Sequence, residues 1–162
     1  MFGHYITRGL TKTSEGLADG YVMFAVPNSP FIYLINRKGE VVHEWKSNYG
    51  VMAAYIMDDG SLIQQADDPD YPVFGEGGPY GRIQKITWDG KMLWDFEYAN
   101  EEQIVHHDVA VLPNGNLLAI AYERISYDEA ISYGRKPELT VADGPWLEKI
   151  LEIEPQKGNK GK

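Results

Sequence analysis

Three consecutive proton-handling residues, His106-His107-Asp108, stand out in a chain otherwise short of reactive groups. They open the stretch from Val105 to Ala121, which reads as two strands joined by an Asn114-Gly115 turn. An imidazole held by a carboxylate can serve as base or nucleophile. Strand alternation predicts that His106 and Asp108 share one face and His107 the other. Adjacent histidines on a strand point apart and chelate poorly, so no metal is expected there. The competing reading is a structural hydrogen-bond network, above all for Asp108.

Other candidates are weaker. Arg82, Arg124 and Arg135 could supply positive field for an anion, or be ordinary salt-bridge residues. Tyr122, Tyr127, Tyr133 and Trp146 could stack on an aryl group. Gly75 to Gly81 could form a nest of backbone N–H groups, but an inter-strand turn is the simpler reading. Asp67-Asp68-Pro69-Asp70 lacks the spaced oxygen ligands of a calcium loop and reads as a solvated acidic turn. Trp45, Trp88, Trp94 and Trp146 itself read most simply as packing anchors. His4 and His43 are read as incidental.

The elements that must position these groups are short strands. Strand patterns cover 21–26, 31–36, 40–46, 51–57, 61–66, 82–88, 91–98, 105–112, 116–123 and 148–154, and no segment shows a helical period. Residues 67–81 and 124–146 read as loops, and residues 1–19 as an arm preceding a domain over 20–162. The chain repeats itself. Asp58-Asp59-Gly60-Ser61-Leu62-Ile63 matches Pro113-Asn114-Gly115-Asn116-Leu117-Leu118, with glycines 55 residues apart. Lys38-Gly39-Glu40-Val41-Val42 matches Asp89-Gly90-Lys91-Met92-Leu93, with glycines 51 apart. Counting back from the hairpin glycines sets His106, His107 and Asp108 against Val51, Met52 and Ala53. The fold itself therefore does not demand His-His-Asp. Four-stranded units at roughly 40–50 residues predict an all-β partial β-propeller of about two and a half blades. Such an array exposes strand edges. The favoured expectation is that it is part of a longer protein. The other is that copies self-associate to close the ring.

Composition narrows the partners. The chain has 162 residues, 43% hydrophobic and 24% charged, with 17 Gly, 11 Tyr and 4 Trp, as a strand-rich globular domain has. A net charge of -9 speaks against nucleic acid and against anionic membranes as partners. With no cysteine, disulfides and thiolate metal sites are excluded, while the compartment stays open. No run of about 20 apolar residues would span a bilayer. The first eight residues carry no apolar leader core, so the chain as given reads as soluble.

Several of these segments, in order, resemble the arylsulfotransferase (aryl-sulfate sulfotransferase) family. They are Gly20-Tyr21-Val22-Met23-Phe24; Tyr33-Leu34-Ile35-Asn36 with Gly39 to Trp45; Gly81-Arg82-Ile83-Gln84 with Trp88-Asp89-Gly90; and the His106-to-Ala121 stretch. The similarity runs from about Gly9 to Glu154. It implies a six-bladed propeller that moves a sulfuryl group from an aryl sulfate to a phenol without a nucleotide donor or other cofactor. Only His106, His107 and Asp108 carry over from the family's channel residues. The histidine that becomes sulfated lies on later blades, which this chain lacks. Arg124, Tyr122 and Arg82 are then expected to bind substrate. The alternative is a non-catalytic binding or scaffolding module. Family members in bacteria are often exported.

Overall fold

The computed structural model describes residues 9–70, 78 and 80–156. The all-β expectation holds. Two antiparallel sheets are formed, and the described residues close into neither a barrel nor a propeller. The first sheet is a six-stranded meander: β1 (Val22–Ala25), β2 (Ser29–Ile35), β3 (Val41–Ile56), β4 (Leu62–Asp67), β5 (Gly81–Ile86) and β6 (Met92–Glu97). The second runs β7 (Gln103–Val111), β8 (Leu117–Arg124) and β9 (Trp146–Ile153).

Two strand patterns, 40–46 and 51–57, are in fact one strand. The first half of β3 pairs with β2 and its second half with β4. At the junction Gly50 comes close to Asn28, where an added Cβ would sit 3.2 Å from the backbone. The bend lets the six-stranded sheet fold over on itself. Three layers result: β1, β2 and the start of β3; the end of β3 with β4, β5 and β6; and β7 to β9. Ile32, Leu34 and Trp45 of the first pack on Leu62 and Ile86 of the second. Ile63, Ile83 and Trp94, from the other face of the second layer, pack on Val105, Val109, Leu117, Ala119 and Ile153 of the third.

Four hairpins share one geometry. Asn36, Met57, Thr87 and Leu112 each donate N–H to the carbonyl four residues on and accept from a glycine three on. Those glycines have φ between 76° and 87°. This is a three-residue loop whose last residue is left-handed, as expected at Arg37-Lys38-Gly39 and Asp58-Asp59-Gly60 and in place of the two-residue turn expected at Asn114-Gly115. A residue with Cβ is disfavoured at that backbone, which explains why all four positions are Gly.

The repeats survive as pairing registers. Ile35 opposite Val41 matches Ile86 opposite Met92, and both hairpins slip register at the same step. Ile56 opposite Leu62 matches Val111 opposite Leu117.

The segment 124–146, expected to be loop, holds a helix, α1 (Tyr127–Ser132), and a single 3-10 turn at Pro137–Leu139. The helix is started by a capping box. Glu129 donates its N–H to Ser126 Oγ, and its carboxylate accepts from the Ser126 N–H. Residues 9–19 carry no helix or strand, as expected of the arm.

Ile83 is sealed between the second and third layers. Ile83→Ala should cost about 2–5 kcal/mol, read as a lower urea midpoint with unchanged slope. A loss below about 1 kcal/mol would mean that the two layers do not pack tightly there.

Candidate functional site

Between paired Val105 and Val109 of β7, three residues face a single residue of β8. This is a β-bulge, and those three residues are His106, His107 and Asp108. In the sister hairpin the corresponding gap, from Val51 to Ala54, holds only Met52 and Ala53. Counting back from the glycine therefore misaligns the two by one residue. Val51 corresponds to Val105, both fully buried, and the bulge of β7 is one residue larger. Bulges re-aim side chains. The expected alternation fails: His106 is buried, while His107 and Asp108 are both exposed.

His106 is 8% exposed, and its ring lies 3.9 Å from that of Tyr122. Its Nε2 has no hydrogen-bond partner among the described residues. Burial holds its pKa below the usual histidine value. Glu148 pulls the other way, and His107 adds to the lowering. A Cβ on Gly78 would come within 3.2 Å of His107 Cδ2, so the backbone there runs close over the imidazole pair.

Asp108 does not orient either histidine, contrary to expectation. Its Oδ1 accepts from Tyr55 Oη at 2.6 Å and from the Val109 N–H at 2.8 Å. Its carbonyl accepts from Gln65 Nε2 at 3.3 Å. Two side chains of the second layer thus latch the bulge of the third. The hydrogen bond to Asp108, helped by burial and by the carboxylate's charge, pushes the Tyr55 phenol up to about 12. Alongside runs a groove of about 730 Å³ between the end of β3 and β7, lined by Tyr55 to Asp59 and Asp108 to Val111. Asp58, Asp59 and Asp108 make it acidic, and the nearby Lys85 is paired to Asp59 at 3.2 Å.

The arginines lie elsewhere. The largely buried Arg82 reaches Asp68 at 2.8 Å, Asp95 at 3.2 Å and Glu97 at 2.5 Å, and lies 5.1 Å over the Tyr49 ring. It neutralises the fully buried Asp68, so the acidic turn at 67–70 is anchored rather than solvated throughout. Arg124 donates Nε to the Asp143 carbonyl at 2.7 Å and ties the end of β8 to the loop before β9. Arg135 and Tyr133 are exposed beyond α1. Of the expected substrate binders, only Tyr122 meets the bulge. Sequence reasoning missed Tyr55 and Gln65, whose link to Asp108 spans two hairpins and leaves no local signal.

Trp45 and Trp94 are buried anchors as expected, and Trp88, partly exposed just past β5, packs edge-on against Trp45 at 5.1 Å. His43 stacks on Trp88 at 4.2 Å and donates from Nε2 to the Trp88 carbonyl at 2.9 Å, a packing role. His4 and most of the Gly75–Gly81 stretch fall outside the described residues. Among the described residues no three His, Asp or Glu gather to hold a metal ion, and no helix is long and apolar enough to cross a membrane.

Two outcomes are expected. Arg82→Ala leaves Asp68 buried without its cation and should cost about 3–5 kcal/mol in urea unfolding. An effect near zero would show the cluster to be hydrated and weak. His106 resists protonation in the fold, so the unfolded chain binds more protons as pH falls. Stability should therefore drop from about pH 7 towards pH 5, by no more than about 1.4 kcal/mol per pH unit from this group. His106→Gln should flatten that limb, and parallel wild-type and variant curves would refute the assignment.

No protein-family model matches this chain, and no curated protein matches it.

Proposed function

We propose that the three layers are blades of a partial β-propeller and that the protein is arylsulfotransferase-like. It would take part in sulfuryl transfer from an aryl sulfate to a phenol. The observation that carries this reading is the enlarged bulge of β7. It sets an open imidazole, His107, and a sealed one, His106, where the sister strand carries Met52 and Ala53.

The burial of the two rings divides their roles. His107 is the one exposed to a substrate. It is suited to donate to a sulfuryl oxygen or to pass a proton to the departing phenolate oxygen as the S–O bond breaks. His106, neutral and beneath it, is a positioning residue. Asp108 and Tyr55 hold the bulge's shape. Arg82 and Arg124 are engaged with acidic or carbonyl partners, so the positive field for the sulfate must come from residues beyond these layers.

Nitrophenyl sulfate titrated into the protein should shift the His107 ring signals in NMR and move those of His106 less. With phenol as acceptor, His107→Ala should lower any transfer by about 10²–10⁴-fold while the circular dichroism stays that of the wild type. Unmoved His107 signals, together with turnover unchanged in the variant, would refute the reading.

A second reading has its own support. The groove beside Tyr55 is rimmed by Asp58, Asp59 and Asp108, which suits a cationic ligand better than an anion. Saturable binding of an amine ligand, with no response to the aryl sulfate, would favour a non-catalytic binding module.

A further inference from the structure

The layers follow a packing rule that leaves two faces without a partner. In the second layer, Gln65 pairs across with Ile83, and the third layer covers both. The repeat carries that pair onto Ile120 opposite Ile150. Ile83 is fully buried, yet Ile150 is 74% exposed. On the outer face of β8 and β9 the apolar pair Ile120 and Ile150 therefore stands uncovered, between the exposed Glu148 and Glu152.

The opposite end shows the converse. Leu62 opposite Ile86 in the second layer corresponds to Val22 opposite Ile35 in the first. Leu62 is fully buried against the first layer, whereas Val22 is 59% exposed. Phe24, on the same face, is also exposed, at the position of the buried Gln64. The arm runs along one side of this face, where Gly9 to Lys12 and Phe24, Tyr33 and Ile35 enclose a hollow of about 500 Å³, and Val22 lies outside it, exposed.

One end of the stack therefore presents the kind of face that the other end covers. We propose that the protein binds a second copy of itself head to tail. The outer face of β8–β9 of one copy would seat on the outer face of β1–β2 of the other, repeating the contact already made between layers inside the chain. Two such contacts close a ring of two copies and six layers, within the 4–8 layers that radial sheet assemblies use. A contact between unlike faces either closes or runs on into filaments, and closure at two copies is the specific claim. The closed ring rests on the blade reading above. It does not rest on sulfuryl transfer, so its failure leaves the His107 test standing.

The test is mass in solution by sedimentation, on the wild type and on two single variants, one per face: Ile150→Asp and Val22→Asp. Both sites are exposed in the single chain, so both variants should keep the wild-type circular dichroism. The wild type should sediment at twice 18.3 kDa at micromolar concentration. Each variant alone should sediment at 18.3 kDa, since each contact in the ring uses both faces. An equimolar mixture of the two variants should recover dimer, because one intact contact remains. A monomeric wild type, a trimer or a filament would overturn the proposal. So would a dimer broken by only one of the variants, which would mean like faces meeting.

Discussion

The strand β4, at the centre of the middle layer, has no solvent side. All residues of β4 but the last are buried, because the first layer lies on one face of it and the third on the other. Double coverage removes the usual alternation and forces polar side chains there to find partners in the dry interior. Gln64 does so at one end only: its Nε2 donates to both Ser47 Oγ and Gln84 Oε1, while its Oε1 has no partner among the described residues. Gln65 faces the other way and reaches the Asp108 carbonyl. One strand thus sends adjacent amides in opposite directions, each binding a neighbouring layer.

That constraint shapes the candidate site. The bulge of β7 lies against the second layer, and its extra residue has to be held without a cross-strand partner. Tyr55 and Gln65 supply the holding contacts through Asp108. The carboxylate is thereby spent on structure, and the imidazoles are left without it. Burial is the main difference between the two imidazoles. One is kept neutral by exclusion of water, and its neighbour one residue on stands in solvent.

How much of this was legible in sequence depended on whether the signal was local. The hairpins were legible because a left-handed backbone position demands glycine, and Gly39, Gly60, Gly90 and Gly115 mark it four times. The 51- and 55-residue repeats were legible through the same glycines. The size of the bulge was not, since counting from a turn cannot register an insertion further along the strand. The continuity of β3 was hidden by Ser47-Asn48-Tyr49-Gly50, a turn-like sequence that the structure uses as a bend. The helix α1 did leave a trace, the Ser126 and Glu129 spacing, although its six residues are too few to show a period. The ion pairs of Arg82 leave no local sign, because its acidic partners lie on a loop and another strand, as many as 15 residues away in the chain.

The long strand β3 has a further consequence. Its first half completes the first layer and its second half begins the next, so the unit that recurs along the polypeptide is offset from the unit that stacks in space. A break anywhere in Ser47 to Gly50 would leave each half of the strand paired within its own layer. The two layers would lose little beyond their covalent link and the pairing of Ser29 with Val51, so the bend is a hinge between layers that are each complete in their own strands.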